Sequence, residues 1–292
     1  MTDPRLRRSL LIVPGNRPGR VLVAMTLPAD SFIFDLEGSV PLVEKAQARD
    51  TIAEALRSAS PGGREFCVRL NPIGTPDIEH DLNALPLGRV DSLMLPKVER
   101  ASDLVAFERR LDELELAAGR TTPIDLVVGL ETPRGILGAL AIAEAGRRVS
   151  ALVFGSGAYA QATGSATTAA ALVWPRSVTV AAASAAGLQP IDADAGAGDD
   201  AEASRRDAAL MRDLGFVGRV VARTNDISSA NEIFAPDPDQ IAWARRIAEA
   251  HRDAESRGLA AVSIDGSLVA VDTLVTAERT LRRAALIAAR SG

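Results

Sequence analysis

The sequence predicts an α/β fold of the (β/α)8 barrel kind with a C-terminal extension, and three observations predict it. First, short unbroken apolar runs recur along the chain, and most are followed by a stretch with helical spacing. Strands buried on both faces read as such runs, and strands alternating with helices build a parallel sheet. Second, most runs stop at a polar residue. Ser9-Leu10-Leu11-Ile12-Val13 meets Pro14-Gly15-Asn16-Arg17, Phe32-Ile33-Phe34 meets Asp35-Leu36-Glu37, and Phe66-Cys67-Val68 meets Arg69-Leu70-Asn71. Leu93-Met94-Leu95 meets Pro96-Lys97, and Leu126-Val127-Val128-Gly129-Leu130 meets Glu131-Thr132. A closed parallel barrel keeps its chemistry at the C-terminal ends of its strands. Third, 292 residues fit one large barrel domain, or two ordinary ones. A doubly wound open sheet is the alternative, but the first turn lacks the spaced glycines of a dinucleotide fold.

Residues 1–8 read as a loose basic tail, and the first strand covers 9–13. Pro18 stands where the next helix begins, a position at which proline is tolerated. Strand two covers 31–35. The helix over 43–58 places Ala46, Ala53, Ala55 and Leu56 on one face. Ser60-Pro61-Gly62-Gly63 is a turn, and strands three and four follow at 65–70 and 91–95. The helix over 101–118 spaces Leu104, Phe107, Leu111 and Leu114 for burial, with Arg109, Arg110, Asp112 and Glu113 between them. Strand five covers 124–131, and one helix runs from Pro133 to about Ala145. Strand six covers 151–154 and ends at Gly155. The pattern then blurs over 156–171, where Tyr159 and Gln161 stand among Gly, Ala, Ser and Thr. An alanine-rich helix over 173–186, strand seven over 188–191 ending at Asp192, an exposed loop over 193–201, a helix over 202–213 and strand eight over 218–222 ending at Arg223 complete the barrel. The barrel domain spans 1–235. The extension, 236–292, comprises a helix over 240–254, a hairpin over 261–269 turning at Asp265-Gly266, and a helix over 272–290, placed to cap the barrel or a neighbouring subunit.

Apolar residues make up 47% of the chain and charged residues 24%, the balance of a globular protein with a large core. Aromatic residues are only 3% and the net charge is -5, which excludes a stacking platform for bases and general affinity for phosphate backbones. No nucleic-acid or membrane partner is expected. The first apolar run is too short to span a bilayer or serve as a signal segment. The only cysteine, Cys67, lies inside an apolar run, which suits packing and a reducing, cytoplasmic compartment.

The strand ends collect Asp35, Glu37, Arg69, Lys97, Glu131, Asp192 and Arg223. Carboxylates around an open cavity can hold a hard divalent cation through oxygen, and Mg2+ needs only one or two of them when water and substrate complete its shell. Arginine grips a carboxylate through two parallel hydrogen bonds. Arg69 and Glu131 together therefore suit an oxo acid or a dicarboxylate. His80 and His251, the only histidines, lie away from strand ends and read as surface residues, so histidine general-base chemistry is not expected.

Several motifs, in this order, resemble the citrate lyase beta-subunit-like family of the HpcH/HpaI aldolase superfamily. They are Leu11-Ile12-Val13-Pro14-Gly15-Asn16-Arg17-Pro18, Asp35-Leu36-Glu37, Val68-Arg69-Leu70-Asn71, Leu95-Pro96-Lys97-Val98-Glu99, Leu130-Glu131-Thr132-Pro133-Arg134-Gly135, Asn231-Glu232-Ile233-Phe234-Ala235-Pro236 and Trp243-Ala244-Arg245-Arg246-Ile247. The resemblance covers nearly the full chain. It implies a (β/α)8 barrel, assembly as a homotrimer, and a carbon–carbon lyase for CoA thioesters of hydroxy acids such as citryl, malyl or citramalyl groups, with Mg2+ as cofactor. On the matching positions it implies Glu131 as metal ligand, Arg69 as holder of the substrate carboxylate, and Asp35, Glu37 and Lys45 as the supporting network. Asn71 and Lys97 join Arg69 as substrate-binding candidates, and Arg223 offers a further charge for an anionic group.

The chain also departs from the pattern. Ala158 stands where the family carries a second metal-binding aspartate, and Gly38 replaces the last acid of Asp-Leu-Glu-Asp. Ala222-Arg223-Thr224 replaces Ile-His-Pro after strand eight. In the hairpin, Ala270 stands where the family places an acid/base aspartate, with Asp272 two positions on and Asp265 earlier in the turn. These departures weaken the expected Mg2+ site. They support a second reading, a catalytically degenerate homologue that binds an acyl-CoA or organic acid or acts as an accessory subunit. A third reading is metal-independent thioester hydrolysis using Tyr159 or Asp272.

Overall fold

Eight parallel strands close into a barrel in sequence order: β1 (Ser9–Pro14), β2 (Ser31–Asp35), β3 (Glu65–Arg69), β4 (Ser92–Leu95), β5 (Asp125–Leu130), β6 (Val149–Gly155), β7 (Gln189–Ala193) and β8 (Gly218–Val221), with β8 pairing back onto β1. The structure, a computed structural model, describes residues 5–60, 62–193, 200–256, 262–264, 267–269 and 271–291. Around the barrel run α1 (Pro18–Ala24), α2 (Lys45–Ser58), α3 (Pro76–Ala84), α4 (Ala101–Ala117), α5 (Pro133–Leu137), α6 (Ala139–Ala145), α7 (Ser156–Thr163), α8 (Ala169–Ala185), α9 (Ala201–Leu214) and α10 (Asp226–Ile233). The open-sheet alternative is thereby excluded.

Alternation along each strand sorts the side chains into two cores. Leu10, Ile33, Cys67, Met94, Val127, Val153, Ile191 and Val220 fill the barrel interior. Their neighbours Leu11, Phe32, Phe34, Val68, Leu93, Val128 and Leu152 pack outward against the helices. Burial pushes the Cys67 thiol up to about 12, aided by the nearby Glu65 charge, so this cysteine packs rather than reacts.

The basic tail is not loose from Arg5 onward. Arg7 is buried, and its Nε and Nη2 donate to the two oxygens of Glu65 at 2.9 and 2.6 Å. Its Nη1 donates to Gln189 Oε1 at 3.2 Å, and Arg5 Nε donates to Asp125 Oδ2, also at 3.2 Å. Glu65, Asp125 and Gln189 open β3, β5 and β7, so these arginines close the N-terminal floor of the barrel. Burial would raise the Glu65 carboxyl, but Arg7 and a hydrogen bond from Ser92 hold it down at about 2. The tail passes so close to β8 that a Cβ on Gly218 would sit 1.7 Å from the Arg7 carbonyl oxygen.

Other differences from expectation have local causes. The helix expected from Pro133 to Ala145 is two helices, α5 and α6, because the chain breaks at Gly138. The small-residue stretch contains α7, which stops at Gly164 in the left-handed region with φ 71°. Between the third and fourth strands lies α3, and after the last strand lies α10; neither stands in the sequence reading.

The chain divides into two compact units, Met1–Phe234 and Ala235–Gly292. The second holds α11 (Pro238–Ser256), the antiparallel pair β9 (Val262–Ile264) and β10 (Ser267–Val269), and α12 (Val271–Ser291). Ala244 and Ile247 of α11 pack with Ala277 of α12, flanked by Leu274 and Leu281. Asp265 and Ala270 lie outside the described residues, as does the side chain of Asp272. Among the described residues, no helix is long and apolar enough to cross a membrane.

Candidate active site

Asp35 and Arg69 occupy paired positions at the C-terminal ends of β2 and β3. Each lies two residues beyond an interior residue, Ile33 and Cys67, so both side chains follow the inward parity. Arg69 Nε donates to Asp35 Oδ1 at 2.7 Å and Nη2 to Oδ2 at 2.8 Å, a two-pronged ion pair. The Glu37 amide donates to Oδ1 and the Ser39 amide to Oδ2, each at 2.8 Å, and the Ser39 hydroxyl also donates to Oδ2. Burial opposes ionisation of Asp35, yet Arg69 and these bonds outweigh it and keep the carboxyl below its usual range. Ser39 is a member of this site that the sequence reading missed; its only signal is its position four residues after Asp35.

Around this pair stands a polar ring. Lys97 Nζ donates to Glu37 Oε1 at 2.6 Å, and Glu37 Oε2 lies 3.8 Å from Arg69 Nη2. Lys97 holds a φ of 54°, the one described non-glycine residue at positive φ. Strain of this kind collects at functional sites. Lys45 Nζ donates to the Leu36 carbonyl at 2.8 Å and to Asn71 Oδ1 at 2.5 Å. Asn71 in turn donates from its amide and from Nδ2 to Asp81 Oδ2 at 2.8 and 2.7 Å. Both ends of the Asn71 side chain are therefore engaged, and the residue ties the β3 exit to α3 instead of offering itself to a substrate.

Glu131, one residue beyond β5, follows the inward parity of Val127 and is 6% exposed. Among the described residues it makes no hydrogen bond and no ion pair within 4.0 Å. It rests against two glycines: a Cβ on Gly155 would come within 2.5 Å of its Cγ, and one on Gly129 within 2.9 Å of its Oε1. Burial raises its carboxyl; the charges of Arg69 and Lys97 oppose that rise, and Glu37 and Asp35 add to it. β4 alone separates β3 from β5 in the closed barrel, so Glu131, Arg69 and Asp35 follow the inward parity at the same end of the barrel.

Three expected residues lie elsewhere or are otherwise engaged. Asp192 alternates with the interior Ile191 and so points outward, where both its oxygens accept from Arg176 of α8 at 3.1 and 3.2 Å. Burial pushes its carboxyl up to about 6, against the charges of Arg176 and Arg219. Arg223 Nε donates to Asp226 Oδ2 at 2.8 Å and so braces the start of α10. Tyr159 packs on Phe154 at a centroid distance of 5.6 Å in the outer core. His80 is exposed, as a surface residue should be.

The donors present fit a divalent cation sparingly. Glu131 is a buried carboxylate without a partner, cradled by two glycines, and a single carboxylate suffices for Mg2+ when substrate and water supply the rest. No group of three or more His, Cys, Asp or Glu side chains among the described residues is placed to enclose a metal.

The sequence model of the family described as HpcH/HpaI aldolase/citrate lyase matches residues 8–224. The chain is 31% identical to the citrate lyase subunit beta of Leuconostoc mesenteroides subsp. cremoris, over 97% of this chain and 95% of that protein. It is 34% identical to a (3S)-malyl-CoA thioesterase of Cereibacter sphaeroides, over 97% of this chain and 96% of that protein. Among solved structures it resembles the protein CitE of Mycobacterium tuberculosis in complex with magnesium, acetoacetate and coenzyme A, with a TM-score of 0.70 and 28% identity over 96% of this chain and 98% of that one.

Proposed function

The chain belongs to the HpcH/HpaI aldolase/citrate lyase family, and from that premise we propose that it is a carbon–carbon lyase for a carboxylate-bearing, CoA-linked hydroxy acid of the citryl, malyl or citramalyl type. The observation that carries this reading is the mouth itself. A fixed guanidinium, Arg69, and a carboxylate without a partner among the described residues, Glu131, stand at the C-terminal end of the barrel on strands separated only by β4.

Arg69 holds the substrate carboxylate through its planar fork, and Asp35 positions that fork from the barrel side. Glu37 stands between Arg69 and Lys97 and spaces the two cations. Lys97 supplies a second positive charge at the rim. Lys45, Asn71 and Asp81 brace the β2 and β3 exits. Glu131 would hold Mg2+, which when bound stabilises negative charge developing on an enolate oxygen. The reading extends to a cytoplasmic homotrimer.

A hydrolytic outcome is the second reading, favoured by the 34% identical thioesterase. One assay separates the two. Malyl-CoA, citramalyl-CoA and a citryl thioester are offered with Mg2+, while oxo-acid release is followed by hydrazone formation and free CoA by thiol titration. A lyase releases oxo acid without free thiol; a thioesterase releases free thiol without oxo acid. Neither product from any of the three refutes both.

A further inference from the structure

We propose that metal uptake at this mouth is ligand-dependent: Glu131 retains a divalent ion only together with a chelating oxo acid that Arg69 anchors. The proposal rests on the lyase reading and adds an order to it, the acid and the ion entering as mutual conditions.

Few carboxylate oxygens at this mouth are available to an ion. Asp35 has none to give. Its Oδ1 accepts from Arg69 and the Glu37 amide, and its Oδ2 from Arg69 and both the amide and hydroxyl of Ser39. Turning it toward an ion would break these bonds and strand the Arg69 charge. Glu37 has one oxygen held by Lys97 at 2.6 Å and the other 3.8 Å from Arg69. Asp192 faces the helices, paired with Arg176. The first turn of α7, which leaves β6 directly after the glycine that cradles Glu131, carries Ser156, Gly157 and Ala158 and no acid. The Ser156 hydroxyl donates to the Ala193 carbonyl. Among the described residues Glu131 is left alone.

One carboxylate fills one or two of the six positions that Mg2+ demands. Arg69 is paired with Asp35 and Lys97 with Glu37, so these four charges cancel and Glu131 alone offers negative charge to a dication. An oxo acid supplies two chelating oxygens and negative charge at once, and a carboxylate for Arg69. The linkage is reciprocal: the acid must tighten the ion by the factor by which the ion tightens the acid.

The full-length protein would be titrated with Mn2+ and with oxalate, a non-reactive chelating dianion, each alone and each in the presence of the other. Calorimetry gives the affinities, and electron paramagnetic resonance reports the bound Mn2+. We expect oxalate to tighten Mn2+ at least about tenfold and Mn2+ to tighten oxalate by the same factor. Glu131→Gln should abolish this enhancement yet keep weak oxalate binding, which controls for chelation in solution. Ala158→Asp, which adds a carboxylate in the first turn of α7, should let Mn2+ bind without oxalate. Equal Mn2+ affinity with and without oxalate overturns the proposal and leaves the lyase reading standing. Failure of oxalate to bind under any condition overturns both.

Discussion

Arg69 faces Asp35 across neighbouring strands at matched register and holds both its oxygens, at 2.7 and 2.8 Å. The pair fixes the plane of the guanidinium before any substrate arrives, so the orientation that recognises a carboxylate is built into the sheet. Asp35 is fully buried, which makes this orientation costly to lose.

Removing the carboxylate should therefore cost both stability and substrate affinity. Asp35→Ala strands Arg69 beside a buried void, and breaking one side of a buried pair costs about 3–5 kcal/mol. Urea unfolding should show a loss of that order. Oxalate affinity should fall as well, because the fork loses its fixed plane; unchanged affinity would show that Asp35 does not position Arg69.

Gly155→Ala tests the cradle of Glu131. The added methyl would lie 2.5 Å from Glu131 Cγ, and overpacking of this kind costs about 1–3 kcal/mol. Glu131 must move, while the Asp35–Arg69 pair is untouched. The expected outcome is a protein that folds, binds oxalate weakly and loses its response to Mn2+. A retained response would place the ion elsewhere.

Lys97 carries a strained backbone and an ion pair at once, and two substitutions separate them. Lys97→Ala loses the bond to Glu37 and keeps the positive φ. Lys97→Gly loses the bond and relieves the φ. The glycine variant should be more stable than the alanine variant by about 1 kcal/mol in chemical denaturation. Equal stabilities would mean that the backbone relaxes without glycine.

The barrel floor sets an acid limit. Glu65 is held at about 2 in the fold against its ordinary 4.5, so the unfolded chain takes up the proton first as pH falls. Its contribution is whole above the unfolded value and is lost as pH drops through the window down to about 2. Glu65→Gln should destabilise the protein by about 3 kcal/mol at neutral pH, since buried Arg7 loses its two-pronged partner and keeps only Gln189 and the more distant Asp125. The difference between the two proteins should narrow across that window; a pH-independent gap would deny Glu65 its low pKa.

The strand-end residues Asp35, Glu37, Arg69, Lys97 and Glu131 were legible because apolar runs on β2 to β5 stop one to three residues before them, and barrel topology brings such ends together. Parity along the strand decides which of them face inward. Ile191 is interior, so Asp192 had to face the helices, a reading that period-two alternation allows but a list of strand ends hides. The engagement of Asn71 was not legible, because Asp81 lies ten residues away and only the docking of α3 brings it close. The tail misled for a similar reason: three arginines in eight residues look solvated until Glu65, Asp125 and Asp30 are placed beneath them. Gly38 is adjacent to the site in a way that composition cannot reveal, since a Cβ there would stand 3.0 Å from Arg69 Nη2.

The central claim is that Arg69 and Glu131 grip the same small anion, and a double-mutant cycle on oxalate binding in the presence of Mn2+ tests it most directly. Affinities would be measured for the unaltered protein, Arg69→Ala, Glu131→Gln and the double variant. Residues acting on one ligand should couple by about 1 kcal/mol or more. Strict additivity of the two single losses would contradict the claim.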